Sequence, residues 1–396
     1  MNIKSIRAVA VDLAPRPKTK PSVPRVETDG FVSPMRRYPE VKRPDWSTGW
    51  KRTACIVEAE DGTWGFGMTL HSGPTVSIIN DHLSQVVEGG NVMATERLWD
   101  LMQRASAPYS SAGLASFAIS AVDQALWDLK GKVLDQPIFR LLGPAHESVP
   151  IYGSGGWTNY SQDELVAEQV GYVERGIPRV KMKVGKDFGQ SEREDIERLK
   201  AVRKAVGDDV EIFVDANNGY YAKQAIKMSK IFEDYDVAWF EEPVLADDIP
   251  GLAQIAQATT IPVATGEHEY TKYGFRDLLT AGAADIVQPD IYRVSGITEW
   301  MKVSAMSDAF NLPVAPHAVS LVSVHCAMAT PNIKVVEVLG AEEHSNRVWW
   351  TETPPYDGGT WKPFADRPGL GLELNPDALK TTLLIEAVPT TGNGCT

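Results

Sequence analysis

Short apolar runs alternate regularly with longer amphipathic stretches from about residue 148 onward. Residues 149–152 predict a first strand, residues 161–176 a helix, and residues 179–183 a second strand. The Ser-Glu-Arg-Glu run at residues 191–194 resembles a capping box that opens the next helix. Strict strand–helix alternation indicates a parallel sheet, and this many units predicts closure into a TIM-type α/β barrel.

The first 145 residues follow a different pattern. Residues 53–60 and 64–68 predict two strands joined by a hairpin turn. Residues 114–129 are apolar on most sides and rich in small residues, which predicts a buried helix. We therefore predict an α+β domain at residues 1–145, a barrel at residues 146–364, and a C-terminal segment at residues 365–396 that returns to the first domain.

Six ionisable side chains stand at the ends of successive apolar runs, at intervals of 26, 26, 23, 27 and 20 residues. Each interval is about the length of one strand, one helix and two loops. A barrel gathers the C-terminal ends of its strands around one mouth, so all six are predicted to face one bound molecule. They are Asp215, Glu241, Glu267, Asp290, His317 and Glu337.

The first three of these residues predict a metal site. Asp215, Glu241 and Glu267 form an all-oxygen set of the kind that Mg²⁺ prefers. The trio contains no cysteine or histidine, which argues against zinc. The alternative, that each carboxylate caps the following helix, accounts less well for three in consecutive units.

Two lysines and a histidine supply candidate acid–base groups. Lys181 and Lys183 are two apart on a predicted strand, so both side chains point to the same face. Unpaired ammonium groups are costly inside a barrel wall, so we expect them at the mouth, where a lysine can act as a base. A solvated pair is the alternative. His317 follows a strand one unit after Asp290, whose carboxylate would fix the ring tautomer. Glu337 would donate a proton or hydrogen bond if it were kept neutral; a solvated or salt-bridged glutamate is the alternative.

Other polar motifs rank lower. His268 lies in Glu-His-Glu rather than a His-Glu-x-x-His zinc motif, so supporting or structural roles are expected for it. The glycines of residues 153–156 lack the spacing of a nucleotide-binding loop. The proline-rich residues 15–44, with the polar and aromatic runs at 35–38 and 46–50, predict surface loops that could fold over the barrel mouth.

Composition narrows the class of protein. A chain of 396 residues is long for one compact domain, and a net charge of −13 with a pI near 5.1 argues against nucleic acid or an anionic membrane as partner. The cysteines are scattered and odd in number, which fits a reducing compartment without a disulfide framework. They are Cys55, Cys326 and Cys395. Without a membrane-spanning run or a signal-peptide pattern, we expect a cytoplasmic protein.

Together these residues resemble the enolase superfamily, and within it the mandelate racemase-like subgroup. The resemblance covers almost the whole chain and implies a (β/α)7β barrel, an α+β capping domain and a C-terminal segment returning to the cap. The resemblance matches the family's Lys-x-Lys to Lys181 and Lys183, and its three metal ligands to Asp215, Glu241 and Glu267. It matches the family's Asp and His pair to Asp290 and His317, and its last-strand Glu to Glu337. Glu241 rather than Glu242 matches, because the family's ligand is the first Glu of Glu-Glu-Pro. A muconate-lactonizing-type member would carry a lysine near position 290, whereas this chain has Gln-Pro-Asp at residues 288–290, which disfavours that branch.

The resemblance implies removal of the proton α to a carboxylate, with Mg²⁺ holding the resulting enediolate. Reprotonation would racemise or epimerise the substrate, whereas loss of a β-hydroxyl would give a 2-keto-3-deoxy acid. Residues 266–269, Gly-Glu-His-Glu, and the Gln-Pro-Asp290 strand look like those of acid-sugar dehydratases, the L-rhamnonate type most of all. The full Lys-x-Lys departs from that type and keeps a racemase open.

We therefore expect a Mg²⁺-dependent acid-sugar dehydratase, a hydro-lyase. His317, oriented by Asp290, and Lys183 would serve opposite faces of the substrate, while Lys181 and Glu337 would stabilise its carboxylate. The alternatives are a racemase or epimerase of a 2-hydroxy acid, and a ligand-binding protein on a retired catalytic barrel. A small-molecule carboxylate partner follows from the same resemblance, as does a homo-oligomer.

Overall fold

A three-stranded antiparallel sheet begins the structure. The computed structural model describes residues 1–11, 34, 51–317 and 321–376, so the predicted loops at 15–44, 35–38 and 46–50 lie almost wholly outside the described residues. Strands β1 (Ile3–Val11), β2 (Arg52–Ala59) and β3 (Trp64–Thr69) pair in that order. The antiparallel pairing of β2 with β3 confirms the predicted hairpin.

Helices cover this sheet and complete the capping domain. Helix α4 is the predicted buried helix, and it packs directly on β3. A side chain at Gly67 would place its Cβ 2.0 Å from the carbonyl oxygen of Ala121, so glycine permits this close approach. The helices are α1 (Ser72–Ser77), a π-helix (Ile78–Leu83), α2 (Ser84–Val87), α3 (Thr95–Ser106), a 3₁₀ turn (Ala107–Tyr109), α4 (Leu114–Val133) and α5 (Ile138–Leu142).

A parallel barrel follows, as predicted. Its strands pair in the order β10-β4-β5-β6-β7-β8-β9. Single parallel bridges from Val287 to Val314 and from Val314 to Ile333 join β9 back towards β10 and close the ring. The strands are β4 (Val149–Ser154), β5 (Arg179–Lys183), β6 (Glu211–Asp215), β7 (Val237–Glu241), β8 (Val263–Thr265), β9 (Ile286–Val287) and β10 (Val336–Leu339), and the short β11 (Thr360–Trp361) pairs antiparallel with β4.

Helices alternate with these strands on the outside. A capping box opens α6, where Ser161 and Glu164 satisfy each other's backbone N–H groups. The capping box predicted at residues 191–194 does not form, because the Ser191 hydroxyl donates to Oδ2 of Asp187 at 2.6 Å instead. The helices are α6 (Gln162–Glu174), α7 (Lys186–Gly189), α8 (Glu192–Val206), α9 (Ala222–Phe232), a 3₁₀ turn (Glu233–Tyr235), α10 (Ile249–Ala258), α11 (Lys272–Thr280), α12 (Ile297–Ala309), α13 (Leu321–Met328) and α14 (Gly340–Trp349).

Three aromatic side chains fill the barrel interior. The rings of Phe213 and Trp239 are stacked 3.6 Å apart, and Tyr152 meets both edge-on. Side chains on a strand alternate in direction, so Asp215 and Glu241, two residues beyond Phe213 and Trp239, also point inward. The aromatic cluster therefore forms an apolar floor beneath the charged mouth.

The C-terminal segment lies against the capping domain. The N–H of Gly369 donates to the carbonyl of Gln136, and the N–H of Ile138 donates to the carbonyl of Gly369. Leu370 donates its N–H to a carboxylate oxygen of Asp128 on α4, at 2.8 Å. The divisions at residues 145 and 365 stay predictions. Among the described residues, none of the helices has the length and apolar character needed to cross a bilayer.

Candidate active site

The structure brings the sequence-predicted side chains together at the C-terminal ends of the barrel strands. Asp215 and Glu241 end β6 and β7 and are register partners there. Glu267 lies two residues beyond β8, and Asp290 forms a parallel bridge with His317. The three carboxylates predicted to hold a metal are all at most 1% exposed.

Lys181 and Lys183 point into this cluster, so the alternative of a solvated pair is wrong. The Lys181 ammonium lies 2.6 Å from Oε1 of Glu241, 3.1 Å from Oε1 of Glu337 and 3.7 Å from Oδ2 of Asp215. Lys183 donates to Oδ2 of Asp215. Burial alone would lower the pKa of Lys181, but Glu241 and Glu337 outweigh it and raise that pKa well above its usual value. Lys181 is therefore a fixed cation.

Glu241 carries less compensating charge than its burial requires. Its Oε2 accepts the indole N–H of Trp239 at 3.1 Å, and its other oxygen faces Lys181. Burial and the neighbouring charge of Asp215 raise the pKa of Glu241 to about 8, despite the opposing effect of the lysines. An added cation would favour the ionised form of Glu241 and lower this pKa.

His317 forms a hydrogen-bonded pair with Asp290. Its Nδ1 lies 2.8 Å from Oδ2 of Asp290, and its Nε2 lies 3.3 Å from Oε2 of Glu267. Burial lowers the pKa of His317, but the charge of Glu267 and the hydrogen bond to Asp290 outweigh it and raise that pKa to about 9. Burial would raise the pKa of Glu267, yet His317 and Arg293 hold it well below its usual range.

Glu337 differs from its expectation in position and in charge. It is the second residue of β10 rather than the end of its strand. Burial alone would raise its pKa, but the charges of Lys181 and His317 lower it to about 2. The neutral, proton-donating Glu337 considered from the sequence is therefore wrong for this state, and the salt-bridged alternative holds.

Arg293 and Glu242, to which the sequence assigned no role, join the site together with His268, for which a supporting or structural role was expected. Arg293 places Nη1 3.2 Å from Oε1 of Glu267 and Nε 3.1 Å from Oδ2 of Asp290. Glu242 has a φ of 38°, in the left-handed region, and its Oε1 lies 2.6 Å from Nδ1 of His268. Arg293 and Asp290 are three apart, a spacing that could have indicated a contact in a turn. No feature of the sequence indicates the left-handed backbone conformation of Glu242.

Two overlapping sets of side chains are candidate ligands for a cation. The predicted set is Asp215, Glu241 and Glu267, which is buried and all-oxygen, as a hard divalent ion prefers, although among the described residues its ligand atoms do not all lie within 4.8 Å of one another. In the second set, one ligand atom each from Glu242, Glu267 and His268 lie within 4.8 Å of one another. Both sets contain Glu267, so the residues present fit a divalent cation beside His317.

The comparisons with known proteins identify the class. The chain belongs to the enolase superfamily and to its mandelate racemase-like subgroup. Residues 164–378 match the family described as enolase C-terminal domain-like, and residues 47–143 match the mandelate racemase / muconate lactonizing enzyme N-terminal domain. The family resemblance inferred from the sequence is confirmed.

Similar curated proteins are named as acid-sugar dehydratases. An L-rhamnonate dehydratase of Saccharopolyspora erythraea is 34% identical over 361 residues, covering 88% of this chain and 90% of that protein. An arabinonate dehydratase of Saccharolobus solfataricus is 34% identical over 331 residues, covering 81% of this chain and 87% of that protein.

Two similar solved structures contain magnesium. An L-talarate dehydratase of Polaromonas, in complex with Mg and L-glucarate, is 32% identical with a TM-score of 0.77 and covers 84% of this chain and 92% of its own. A racemase of Streptomyces coelicolor with bound magnesium is 26% identical with a TM-score of 0.82, covering 96% of this chain and 99% of its own.

Proposed function

We propose that this protein is a Mg²⁺-dependent acid-sugar dehydratase that forms a 2-keto-3-deoxy acid. The observation that carries the proposal is the placement of the His317–Asp290 pair and Lys183 around one cluster of buried carboxylates. Around the ring, β10 and β4 separate the two groups in one direction, and β6 to β9 separate them in the other. A substrate held between them would present one face to His317 and the other to Lys183.

Asp215, Glu241 and Glu267 would hold the metal, since they are buried and all-oxygen, and a bound cation would offset the burial and the Asp215 charge that raise the pKa of Glu241. When bound, Mg²⁺ supplies positive charge that offsets these carboxylates and stabilises negative charge developing on the substrate. Glu267 belongs to both candidate sets. We assign the other two members of the second set, Glu242 and His268, a supporting role.

Lys181 would bind the substrate carboxylate. Its ammonium is held by Glu241 and Glu337 in a fixed position and remains protonated, so it can receive a carboxylate oxygen without reorganisation. Glu337, ionised against Lys181, would orient that ammonium rather than donate a proton. Lys181, oriented by Glu337, would then stabilise the negative charge as the carboxylate becomes an enediolate.

His317 would remove or return a proton at its Nε2, because Asp290 occupies Nδ1. In the dehydration the C2–H bond breaks first, and the electron pair forms the enediolate. The C3–O bond then breaks, the departing hydroxide takes a proton from the imidazolium, and water leaves. The remaining enol tautomerises to the 2-keto-3-deoxy acid.

A panel of aldonic and aldaric acids, incubated with enzyme and Mg²⁺ and assayed for 2-oxo acids by semicarbazide trapping, tests this proposal. We expect at least one acid sugar to give a 2-oxo acid, and His317→Asn to give none. Formation of 2-oxo acid by His317→Asn at the wild-type rate would refute the assignment.

A racemase or epimerase of a 2-hydroxy acid is the second candidate. The observation that favours it is the complete pair of lysines: Lys183 is buried at the site and stands across the ring from His317. Two bases on opposite faces suit removal of a proton from one face and its return to the other. The similar racemase of known structure is consistent with that use of the same scaffold.

A further inference from the structure

The guanidinium of Arg293 lies between two functional carboxylates. Its Nη1 donates to the carbonyl oxygen of Glu267 at 2.8 Å and lies 3.2 Å from Oε1 of the same residue. Its Nε lies 3.1 Å from Oδ2 of Asp290, the oxygen that also receives Nδ1 of His317 at 2.8 Å. Arg293 is 9% exposed, so these contacts are shielded from water.

These contacts fix Asp290 from two sides. The N–H of Tyr292 donates to Oδ1 at 2.7 Å, while Arg293 and His317 share Oδ2. A guanidinium is planar and holds its N–H groups in a rigid arrangement, so it constrains the rotation of a carboxylate better than a flexible ammonium does. The orientation of the His317 ring therefore depends on a residue that does not touch the ring's reactive nitrogen.

Side chains of the capping domain hold the backbone that carries Arg293. Backbone carbonyl groups along the loop after β9 accept hydrogen bonds from side chains of β3, α3 and α4. These side chains take the place of the water molecules that would otherwise donate to the carbonyl groups. The pairs are Gln124 to Ile291 at 3.3 Å, Thr69 to Tyr292 at 2.9 Å, Ser116 to Arg293, and Trp99 to Ser295 at 3.0 Å. Because its carbonyls are directed to the cap, the loop keeps Asp290 and Arg293 directed to the site.

We propose that Arg293 is a positioning residue that fixes Asp290 and, through it, the ring orientation of His317 and its Nδ1–H hydrogen bond to Asp290. The capping domain acts on this pair by holding the Arg293 backbone. The inference about His317 follows from the contacts alone, while its consequence for turnover rests on the proposed dehydratase function.

The experiment is ¹H–¹⁵N NMR of the full chain with ¹⁵N-labelled histidine, recorded with and without Mg²⁺, on wild type and Arg293→Met. His317→Asn assigns the ring signals of His317. We expect wild type to show a downfield Nδ1–H signal from the His317–Asp290 hydrogen bond, and Arg293→Met to lose or broaden it. Arg293→Lys, which keeps the charge and tests the contact if the methionine variant fails to fold, should also weaken the signal.

Arg203 offers a matched control. Its guanidinium also holds backbone carbonyls, those of Val210 and Asp236, but at the opposite end of the barrel, where β6 and β7 begin. Arg203→Met should leave the His317 signal unchanged. An Arg293 variant that folds and keeps the wild-type His317 signal would overturn the proposal.

Turnover gives the second readout once a substrate is in hand. We expect kcat of Arg293→Met to fall about 100-fold, as misplacement of a reacting group does, with KM changed far less. Added guanidinium should raise the activity of Arg293→Ala and leave the activity of Arg203→Ala unchanged. Wild-type kcat in Arg293→Met would overturn the positioning role. Absence of substrate turnover in wild type would refute the proposed function, while the His317 signal still decides the inference.

Discussion

Nε2 of His317 lies 3.3 Å from Oε2 of Glu267. The nitrogen proposed to carry the substrate proton is therefore in contact with a carboxylate proposed to hold the metal. The acid–base pair and the metal site occupy one space, yet their side chains reach it from different strands. Substitutions can for this reason separate proton transfer from metal binding.

His317→Asn should remove proton transfer and keep the metal site. Asparagine retains a polar group near Asp290 but cannot titrate, so we expect kcat to fall by roughly 10²- to 10⁴-fold, the contribution of a positioned acid–base group. Mg²⁺ affinity, measured by isothermal titration calorimetry, should change little. A variant that stays active, or one that loses Mg²⁺ binding as well, would contradict the separation of roles.

Glu241→Gln and Glu242→Gln form a matched pair for the metal ligands. If Asp215, Glu241 and Glu267 hold the ion, Glu241→Gln should weaken Mg²⁺ binding by at least roughly 10- to 100-fold, a loss that even supporting partners of a metal site can produce. Glu242→Gln should have the smaller effect on calorimetric affinity. The reverse order would assign the site to Glu242, Glu267 and His268 instead.

Lys181→Met should destabilise the protein in the absence of Mg²⁺. The substitution leaves Glu241 and Glu337 buried without their cation, and breaking a buried ion pair costs about 3–5 kcal/mol. Urea denaturation measures the change in the free energy of unfolding. The control is Lys4→Met, because Lys4 pairs with Glu58 on the surface and such pairs contribute about 0–1 kcal/mol. Equal effects of the two variants would show that Lys181 is not held by buried charge.

His325 should make folding stability fall with acid. Its Nδ1 accepts the N–H of Phe139 and its Nε2 contacts the carbonyl of Leu370, so the folded protein holds a neutral ring between the cap, the barrel and the C-terminal segment. Burial lowers its pKa from 6.5 to about 4. Between pH 6.5 and 4, His325 therefore binds a proton in the unfolded chain but not in the folded protein. The contribution of the neutral His325 to folding stability is present above pH 6.5 and is lost as pH falls towards 4.

The expected loss is about 3 kcal/mol across that window, from 1.36 kcal/mol for each pKa unit. Urea denaturation at a series of pH values measures it for wild type and for His325→Gln, whose side chain does not titrate. The variant is expected to lack this part of the acid dependence. Parallel pH curves for the two proteins would contradict a neutral, buried His325.

The barrel and its charged mouth could be predicted because they depend on local patterns. Strand ends carry Asp215 and Glu241 at a spacing set by one strand and one helix, and the alternation on β5 directs Lys181 and Lys183 to one face. The charge of Glu337 could not be predicted from the sequence, because it depends on Lys181, which the fold brings near from a distant part of the sequence.

Contacts between the capping domain and the barrel also could not be predicted from the sequence. Arg293 lies in a loop without hydrophobic periodicity, and Ser116 belongs to a helix whose apolar pattern indicates burial but not a partner. The failed capping box at Ser191 has a similar cause, since Asp187 competes for its hydroxyl once the chain turns before α8. In each case a contact that forms only in the folded chain decides the role of a polar side chain.

Proton NMR in D₂O, with Mg²⁺ and a panel of aldonic and aldaric acids, tests the central claim most directly. Removal of the C2 proton followed by loss of the C3 hydroxyl predicts a new upfield signal from the 3-deoxy carbon of one product, which carries one proton and one deuteron from the solvent. Wild type should produce this signal and His317→Asn should not. Loss of the H2 signal from a recovered hydroxy acid, with no signal from a 3-deoxy carbon, would contradict the dehydratase and favour a racemase or epimerase.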